Sequence, residues 1–121
     1  MTPALRVVVA DNDPDALDLL DLDVALEGHL VVGRGRNGEE AIALCREHSP
    51  DVLVVDLRMP PGPDGLAVVR TLAGTPSLTM IIYTNYRNSA FAEQAAALGA
   101  RYLLKGDLRT LRAAIAQAAG R

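Results

Sequence analysis

The sequence predicts an α/β domain with a five-stranded parallel sheet covered by helices on both faces. Short apolar runs alternate along the chain with segments whose apolar residues recur every three or four positions, and glycine, proline, asparagine or aspartate stands at most boundaries. Strands that are almost wholly apolar are typical of parallel sheets buried on both faces. Regular alternation of strand and helix implies right-handed crossovers. We therefore predict a doubly wound sheet, and the strand order that we expect for it is 2-1-3-4-5, a common order of such sheets.

Composition places the chain among ordinary globular proteins. It has 121 residues, 50% hydrophobic and 22% charged, which predicts one domain over residues 1–121. The net charge of -3 argues against direct contact with nucleic acid, because phosphate backbones attract clustered basic residues. No apolar stretch is long enough to span a bilayer and no signal peptide is evident, so we expect no membrane contact. The single Cys45 excludes an internal disulfide and, with these features, predicts a cytoplasmic location.

The first strand, residues 5–10, is followed by a helix with clear start and stop signals. Asp13 is a favourable N-cap, and Pro14 suits the first helical position. The helix continues to about Leu26 and ends at Gly28. Its core-facing side is predicted to consist of Leu17, Leu20 and Val24. Its acidic residues are assigned to the solvent-exposed side, namely Asp15, Asp18, Asp21 and Asp23.

The next two strand–helix units repeat this pattern. Residues 29–33 form the second strand, and Asn37 opens the second helix. The third strand covers residues 52–55 and is followed at once by Asp56. The third helix begins after Asp64.

The last two units complete the alternation. The fourth and fifth strands are predicted over residues 78–84 and 101–105. Asn88 or Ser89 caps the fourth helix, and Asp107 caps the fifth.

Polar side chains follow the strands at the points where they end. In the predicted strand order the first and third strands are neighbours, so the acids that follow them meet at the carboxyl edge of the sheet. Carboxylates this close repel unless a cation lies between them, and oxygen ligands with room for water suit Mg²⁺. An aspartate nucleophile, a divalent cation, a lysine and a hydroxyl together suit an acyl phosphate. The side chains at this edge are Asp11, Asn12, Asp13, Asp56, Thr84 and Lys105.

Five short motifs stand at or near these strand ends. They are Ala-Asp-Asn-Asp-Pro at 10–14, Asp-Leu-Arg-Met-Pro at 56–60, Asp-Gly-Leu at 64–66, Ile-Tyr-Thr at 82–84 and Tyr-Leu-Leu-Lys at 102–105. In this order they resemble the receiver domains of two-component response regulators, over about Leu5 to Ala119. The resemblance implies the flavodoxin-like (βα)5 form of the predicted fold. The first and last motifs resemble receivers attached to LuxR-type helix-turn-helix domains, which implies a parent protein that regulates transcription.

The resemblance implies a chemistry for the predicted site. A sensor histidine kinase would transfer a phosphoryl group to Asp56 in a Mg²⁺-dependent reaction. Asp11, Asn12 and Asp56 would hold the Mg²⁺, together with the backbone carbonyl of Arg58. Such a domain is not an enzyme in the usual sense, because it catalyses only its own phosphorylation and dephosphorylation.

The resemblance also implies a conformational switch. Thr84 and Lys105 would engage the phosphoryl oxygens, and Tyr102 would be the aromatic side chain that rotates with the state. The surface of the fourth helix, fifth strand and fifth helix would then change its partners. A homodimer formed on activation would use the fourth and fifth helices, near Ala90, Phe91, Arg109 and Arg112.

Three positions depart from the commonest receiver pattern. Asn12 stands where most receivers have a second acid, so we expect weaker Mg²⁺ binding, which Asp13 would offset only if its carboxylate did not already cap the helix. Asn85 stands where a small residue usually follows the threonine, so we expect an altered lifetime of the phosphorylated form. Gly106 stands where many members have proline, which leaves the loop after Lys105 less constrained.

Two alternative functions stay open at this point. A pseudo-receiver would use the same fold as a phosphorylation-independent protein interaction module, and Asn12 and Asn85 motivate this alternative. A flavin binder or a Mg²⁺-dependent phosphohydrolase ranks below it, because carboxylates after the first strand would repel a flavin phosphate and no substrate-binding insertion is evident. Thr84 and Tyr102 also have purely structural interpretations, as an ordinary strand residue and a half-buried strand aromatic.

Overall fold

A computed structural model describes residues 3–120, so residues 1, 2 and 121 of the predicted domain lie outside the described part. The described chain forms a parallel sheet of order β2-β1-β3-β4-β5, which confirms the predicted fold and strand order. The strands are β1 Arg6–Ala10, β2 Leu30–Gly35, β3 Val52–Val55, β4 Thr79–Thr84 and β5 Arg101–Leu104. The helices are α1 Pro14–Leu26, α2 Gly38–His48, α3 Gly65–Leu72, α4 Ser89–Ala97 and α5 Leu108–Gln117, and a 3₁₀ turn Ala118–Gly120 follows.

Each of the five helices begins at a polar side chain that accepts a hydrogen bond from a backbone N–H of its first turn. This bond satisfies one of the donors that a helix start leaves without an intrahelical partner. Of the two candidates for α4, Asn88 is the cap, and its side chain accepts from the N–H of Phe91. The caps in chain order are Asp13, Asn37, Asp64, Asn88 and Asp107.

The second strand is longer than predicted. β2 extends to Gly35, where the sequence predicts an end at Gly33, and it pairs with β1 through Val8↔Gly33 and Ala10↔Gly35. The two glycines have no side chains to show a strand period, so only their pairing with β1 reveals the strand.

The sheet separates two apolar layers. Successive strand residues point to opposite faces. Val8, Leu53 and Ile82 therefore pack with α2, α3 and α4, while the alternate residues of the same strands pack with α1 and α5. All four residues of β3 are fully buried. The polar residues that follow such strands are therefore held at fixed positions along the sheet edge.

The interpretation of Asp23 as a solvent-exposed residue is wrong. Asp23 is only 7% exposed, and its carboxylate accepts hydrogen bonds from the guanidinium of Arg112, with Arg112 Nε 3.2 Å from one oxygen. Asp23 lies three residues after the buried Leu20 and one before the buried Val24, so it belongs to the core-facing side of α1. This pair links α1 to α5, and Arg112 is turned towards α1.

None of the helices within residues 3–120 combines the length and the apolar character that crossing a bilayer requires.

A close backbone approach holds the loop between β3 and α3. The N–H of Gly65 donates to the carbonyl oxygen of Leu57 over 2.7 Å. A Cβ atom at Gly65 would lie 2.5 Å from the backbone oxygen of Asp56 and 2.9 Å from the Cα of Leu57. These atoms are backbone and cannot rotate away, so only glycine fits between the start of α3 and the residue after β3.

We expect Gly65→Ala to lower the free energy of unfolding by about 2 kcal/mol, because the added methyl group forces the β3–α3 loop away from α3. Urea denaturation of the two proteins measures the difference. Gly120→Ala is the matched control, since nothing lies within 4 Å of a Cβ placed there. Equal stability of Gly65→Ala and the unmodified protein would contradict this account of the loop.

Candidate functional site

The ends of β1 and β3 place two aspartates side by side. Ala10 pairs with Val55 in the sheet, and the next residues along the two strands are Asp11 and Asp56. The backbone continues the ladder, because the N–H of Asp56 donates to the carbonyl oxygen of Ala10 over 3.0 Å. Asp11 is 2% exposed and Asp56 is 8% exposed. The predicted meeting of these acids at the sheet edge is therefore present in the structure.

Lys105 provides the positive charge between the two carboxylates. Its Nζ lies 2.6 Å from Oδ2 of Asp11 and 3.2 Å from Oδ2 of Asp56. The backbone N–H of Lys105 donates to the carbonyl oxygen of Thr84 over 2.8 Å, which holds the residue at the end of β5. One ammonium group thus contacts both acids.

Burial and charge act on the pKa values of this cluster in opposite ways. Burial raises the pKa of Asp11 above its usual value, and the charge of Asp56 acts in the same direction, while the hydrogen bond from Lys105 opposes them. Burial by itself would lower the pKa of Lys105, but the hydrogen bond to Asp11 and the charge of Asp56 outweigh it and raise the pKa. Lys105 therefore stays protonated across the neutral range.

The other oxygen of each carboxylate accepts a backbone N–H. Oδ1 of Asp56 accepts from Leu57 over 2.7 Å, and Oδ1 of Asp11 accepts from Asp13 over 2.9 Å. These bonds fix the orientation of both groups, so that their Oδ2 atoms converge on Lys105.

Asn12 and Asp13 complete the acidic loop after β1. Asn12 is exposed, and the Oδ1 atom of Asp13 accepts from the N–H of Asp15 as the cap of α1. The carboxylate of Asp13 is therefore already engaged. Within residues 3–120 no group of three or more His, Cys, Asp and Glu side chains is placed to hold a metal ion. The oxygen atoms at this edge that could ligate a metal ion belong to two carboxylates, the amide of Asn12 and backbone carbonyls.

Thr84 and Tyr102 both form hydrogen bonds with Tyr86, a residue that the sequence motifs did not indicate. Thr84 is 2% exposed, and its hydroxyl accepts from the N–H of Tyr86 over 3.2 Å. The hydroxyl of Tyr102 donates to the carbonyl oxygen of Tyr86. Burial raises the pKa of Tyr102, and the charges of Tyr86 and Asp56 add to the effect while Arg58 opposes it. An aromatic residue in an otherwise polar loop just before the Asn88 cap was the one available signal for Tyr86.

The remaining predicted residues lie in the loops around this edge. The guanidinium carbon of Arg58 stands 4.1 Å from the centroid of the Tyr86 ring, and Asn85 is exposed. Gly106 has a φ of 99°, which proline cannot adopt, and its N–H donates to the hydroxyl of Tyr83 over 3.1 Å. The loop after Lys105 therefore differs in conformation from one that contains proline.

An apolar groove of about 330 Å³ opens beside the site, between α1 and the start of α5. Asp11 and Lys105 form part of its wall, so the groove is continuous with the charged cluster. Five leucines line it, and three of them, Leu19, Leu22 and Leu26 of α1, are 68%, 56% and 73% exposed.

A family model of the response regulator receiver domain matches residues 7–116. The chain belongs to this family. The resemblance drawn from the five sequence motifs is thereby confirmed. Receiver domains are signalling domains of two-component systems rather than enzymes in the usual sense, they interact with histidine kinases and phosphotransfer partners, and they generally bind Mg²⁺ for phosphorylation.

Curated relatives of this receiver domain include regulators of transcription. The transcriptional regulatory protein PdtaR of Mycobacterium tuberculosis is 32% identical over 103 residues, which are 83% of this chain and 49% of PdtaR. The response regulator GacA of Pseudomonas aeruginosa is 32% identical over 102 residues, 83% of this chain and 47% of GacA. The receiver domain thus spans about half the length of these relatives.

Solved structures show the same fold. The signal receiver domain of the response regulator NarL from Mycobacterium tuberculosis is 32% identical, with a TM-score of 0.87 and coverage of 98% of each chain. A LuxR-family two-component response regulator from Aurantimonas sp. SI85-9A1 is 31% identical, with a TM-score of 0.81 over 98% of this chain and 88% of that one. Similarity to receivers of LuxR-type regulators is therefore confirmed.

We expect Lys105→Met to lower the free energy of unfolding by about 3 kcal/mol at pH 7, because it leaves two buried carboxylates without their cation. The loss should shrink on acidification. Because the pKa of Asp11 is already raised, its carboxyl group becomes protonated at a higher pH than an ordinary aspartate. Protonation removes the unpaired charge, so the folded variant regains stability that it lacks at higher pH. Lys105, whose pKa is also raised, stabilises the unmodified protein at every pH below its ordinary pKa and loses this effect above its raised value.

Urea denaturation at pH 5, 7 and 9 compares the two proteins. Arg109→Met removes an exposed cation from α5 and serves as the control, with little effect expected at any of the three pH values. A loss of stability in Lys105→Met that grew between pH 7 and pH 5 would contradict the assignment of Lys105 as the counter-charge of Asp11 and Asp56.

Proposed function

We propose that this receiver domain accepts a phosphoryl group from a histidine kinase on the carboxylate of Asp56. The observation that supports this most directly is the placement of Asp56 at the end of a buried strand, with Oδ1 held by a backbone N–H and Oδ2 beside Lys105. In the reaction a carboxylate oxygen forms a bond to phosphorus while the bond from phosphorus to the kinase imidazole breaks, and the nitrogen keeps the electron pair. Lys105 then neutralises part of the charge on the transferred group.

The donor set at this edge fits a magnesium ion. Asp11 and Asp56 are anionic oxygen donors, and Asn12 and the backbone carbonyl of Arg58 are neutral ones, which suits a hard cation that retains several waters. Bound Mg²⁺ would offset the negative charge that collects on the phosphoryl oxygens. Because Asn12 is uncharged and the carboxylate of Asp13 already caps α1, this site supplies fewer negative charges than one with a second acid after Asp11.

Phosphorylation would act as a switch through Thr84, Lys105 and Tyr102. Thr84 is buried next to the site, and its hydroxyl retains its own hydrogen to donate to a phosphoryl oxygen. A shift of Thr84 reaches Tyr102 through the backbone of Tyr86. The surface formed by α4, β5 and α5 would then present a different face to its partners.

The kinase is proposed to dock in the groove beside α1. Its occupant would be an amphipathic helix of the domain that bears the phosphohistidine. The exposed Leu19, Leu22 and Leu26 stand three and four residues apart on α1, which suits a helix-in-groove contact. Asp11 and Lys105 in the groove wall place such a helix directly against the site.

The wider role proposed here is that of a cytoplasmic switch in a regulator of transcription. The transcriptional regulators among the relatives support this role. The net charge of -3 supports the view that the domain itself does not contact nucleic acid. A homodimer on activation, formed through α4 and α5, stays a prediction, as does the single domain 1–121.

Incubation with Mg²⁺ and acetyl phosphate should add one phosphoryl group to the protein, as measured by intact mass. The adduct should be absent from Asp56→Asn and from samples that contain chelator, because the nucleophile or the cation is then missing. Asp15→Asn, which changes an exposed aspartate of α1, should retain the adduct. A folded protein that forms no adduct would contradict this proposal and favour the pseudo-receiver.

Asn12→Asp should tighten Mg²⁺ binding, on the order of tenfold, because it adds a negative charge among the proposed ligands. Titration calorimetry measures the dissociation constant. Asn85→Asp adds the same charge at another loop of this edge and should have a smaller effect, since Asn85 is not among the proposed ligands. Equal gains in the two variants would indicate a general effect of charge and contradict the role of Asn12.

A further inference from the structure

Tyr86 connects four parts of the molecule. Its ring lies beneath the guanidinium of Arg58, 4.1 Å from centroid to Cζ, and 5.7 Å from the ring of Phe91 in α4. Its N–H donates to Thr84, and its carbonyl oxygen accepts from Tyr102. A cation–π contact therefore ties the loop between β4 and α4 to the loop after β3, which carries Arg58.

Arg58 holds an unpaired positive charge near the site. It is exposed and follows Asp56 by two residues. Among residues 3–120 it forms no ion pair with a carboxylate, and the cation that contacts Asp11 and Asp56 is Lys105. The guanidinium of Arg58 lies on the ring of Tyr86, whose backbone forms hydrogen bonds with Thr84 and Tyr102 beside the site.

We propose that Arg58, after Lys105, is a second cationic side chain for the phosphoryl group. Its guanidinium rests on the Tyr86 ring in the unmodified protein and moves to the phosphoryl oxygens once Asp56 is phosphorylated. This inference rests on the function proposed above. A phosphoryl group adds charge and three acceptor oxygens, each of which accepts more than one hydrogen bond, so Lys105, Thr84 and the proposed Mg²⁺ leave positions for another cationic side chain. A guanidinium presents paired N–H donors that match such oxygens, and its attraction to a dianion exceeds its attraction to an exposed ring.

The departure of Arg58 would change the surroundings of Tyr86. The ring loses its contact with Arg58 and keeps its contact with Phe91. Because the same residue also contacts Thr84 and Tyr102, the movement gives phosphorylation a second connection to α4 and β5, in addition to the one through the Thr84 hydroxyl.

Two substitutions should change the rate of phosphorylation by acetyl phosphate in opposite directions. Arg58→Ala removes the second cation and should slow adduct formation about tenfold. Tyr86→Leu removes the resting place but keeps an apolar side chain and the backbone contacts, so the free guanidinium should speed adduct formation about threefold. The double variant should behave like Arg58→Ala, since Tyr86 acts on the rate only through Arg58.

The resting contact has a readout that does not depend on phosphorylation. The δ-protons of Arg58 should show an upfield NMR shift from the ring current of Tyr86. Tyr86→Leu should abolish this shift, and Tyr86→Phe, which keeps the ring, should retain it. Phosphorylation of the unmodified protein should abolish it as well. Arg87, an exposed arginine of the same loop, is the matched control, and Arg87→Ala should leave the rate unchanged.

The outcomes separate this inference from the proposed function. Equal slowing by Arg58→Ala and Tyr86→Leu, or an Arg58 shift that persists in the phosphorylated protein, would overturn the movement of Arg58 while leaving Asp56 as the acceptor. Absence of any adduct in the unmodified protein would overturn both, and the Arg58 shift in that sample would still report whether the resting contact forms.

Discussion

The ion cluster of Lys105 with Asp11 and Asp56 is the interaction on which the carboxyl edge of this receiver domain depends. Lys105 follows β5 and Asp11 follows β1, and β3 and β4 lie between these strands. The lysine side chain therefore reaches across the edge of the sheet to place one ammonium against both acids. Without that charge, two carboxylates removed from water would face one another, which is costly for folding. The cluster thus joins the stability of the sheet to the chemistry proposed for Asp56.

Precision at the site comes from the rigidity of what surrounds it. β3 is buried on both faces, and the ladder continues past the strand ends through the N–H groups of Asp56 and Lys105. The start of α3 lies so close to the backbone of Asp56 and Leu57 that only glycine fits at position 65. Side chains placed on such elements have little freedom to move, which suits a reaction that requires a nucleophile and a cation in fixed positions.

The two faces of the sheet are joined to the site in different ways. On one face the pair Asp23–Arg112 connects α1 with α5 through a largely buried carboxylate. On the other face the link to α4 consists of the rings of Tyr86 and Phe91 and of a loop with exposed residues. An ion pair with a buried partner resists displacement more than a stacked surface contact does. We therefore expect conformational change at the site to appear mainly on the face of α4 and β5.

The sequence by itself determined the fold class, four of the five helix caps and the acids and lysine at the sheet edge. These follow from local signals, such as an apolar run, a cap at Asp13 or an acid directly after a strand, whereas the strand order was expected from the doubly wound fold as a whole. The tertiary structure alone decided the burial of Asp23 against Arg112, the extension of β2 to Gly35 and the contacts of Tyr86 with Arg58 and Tyr102. These features depend on residues that lie far apart in the chain or on glycines without a side-chain period. A local sequence pattern does not indicate which distant side chain a residue will contact, because that contact depends on how the helices and loops pack on the sheet.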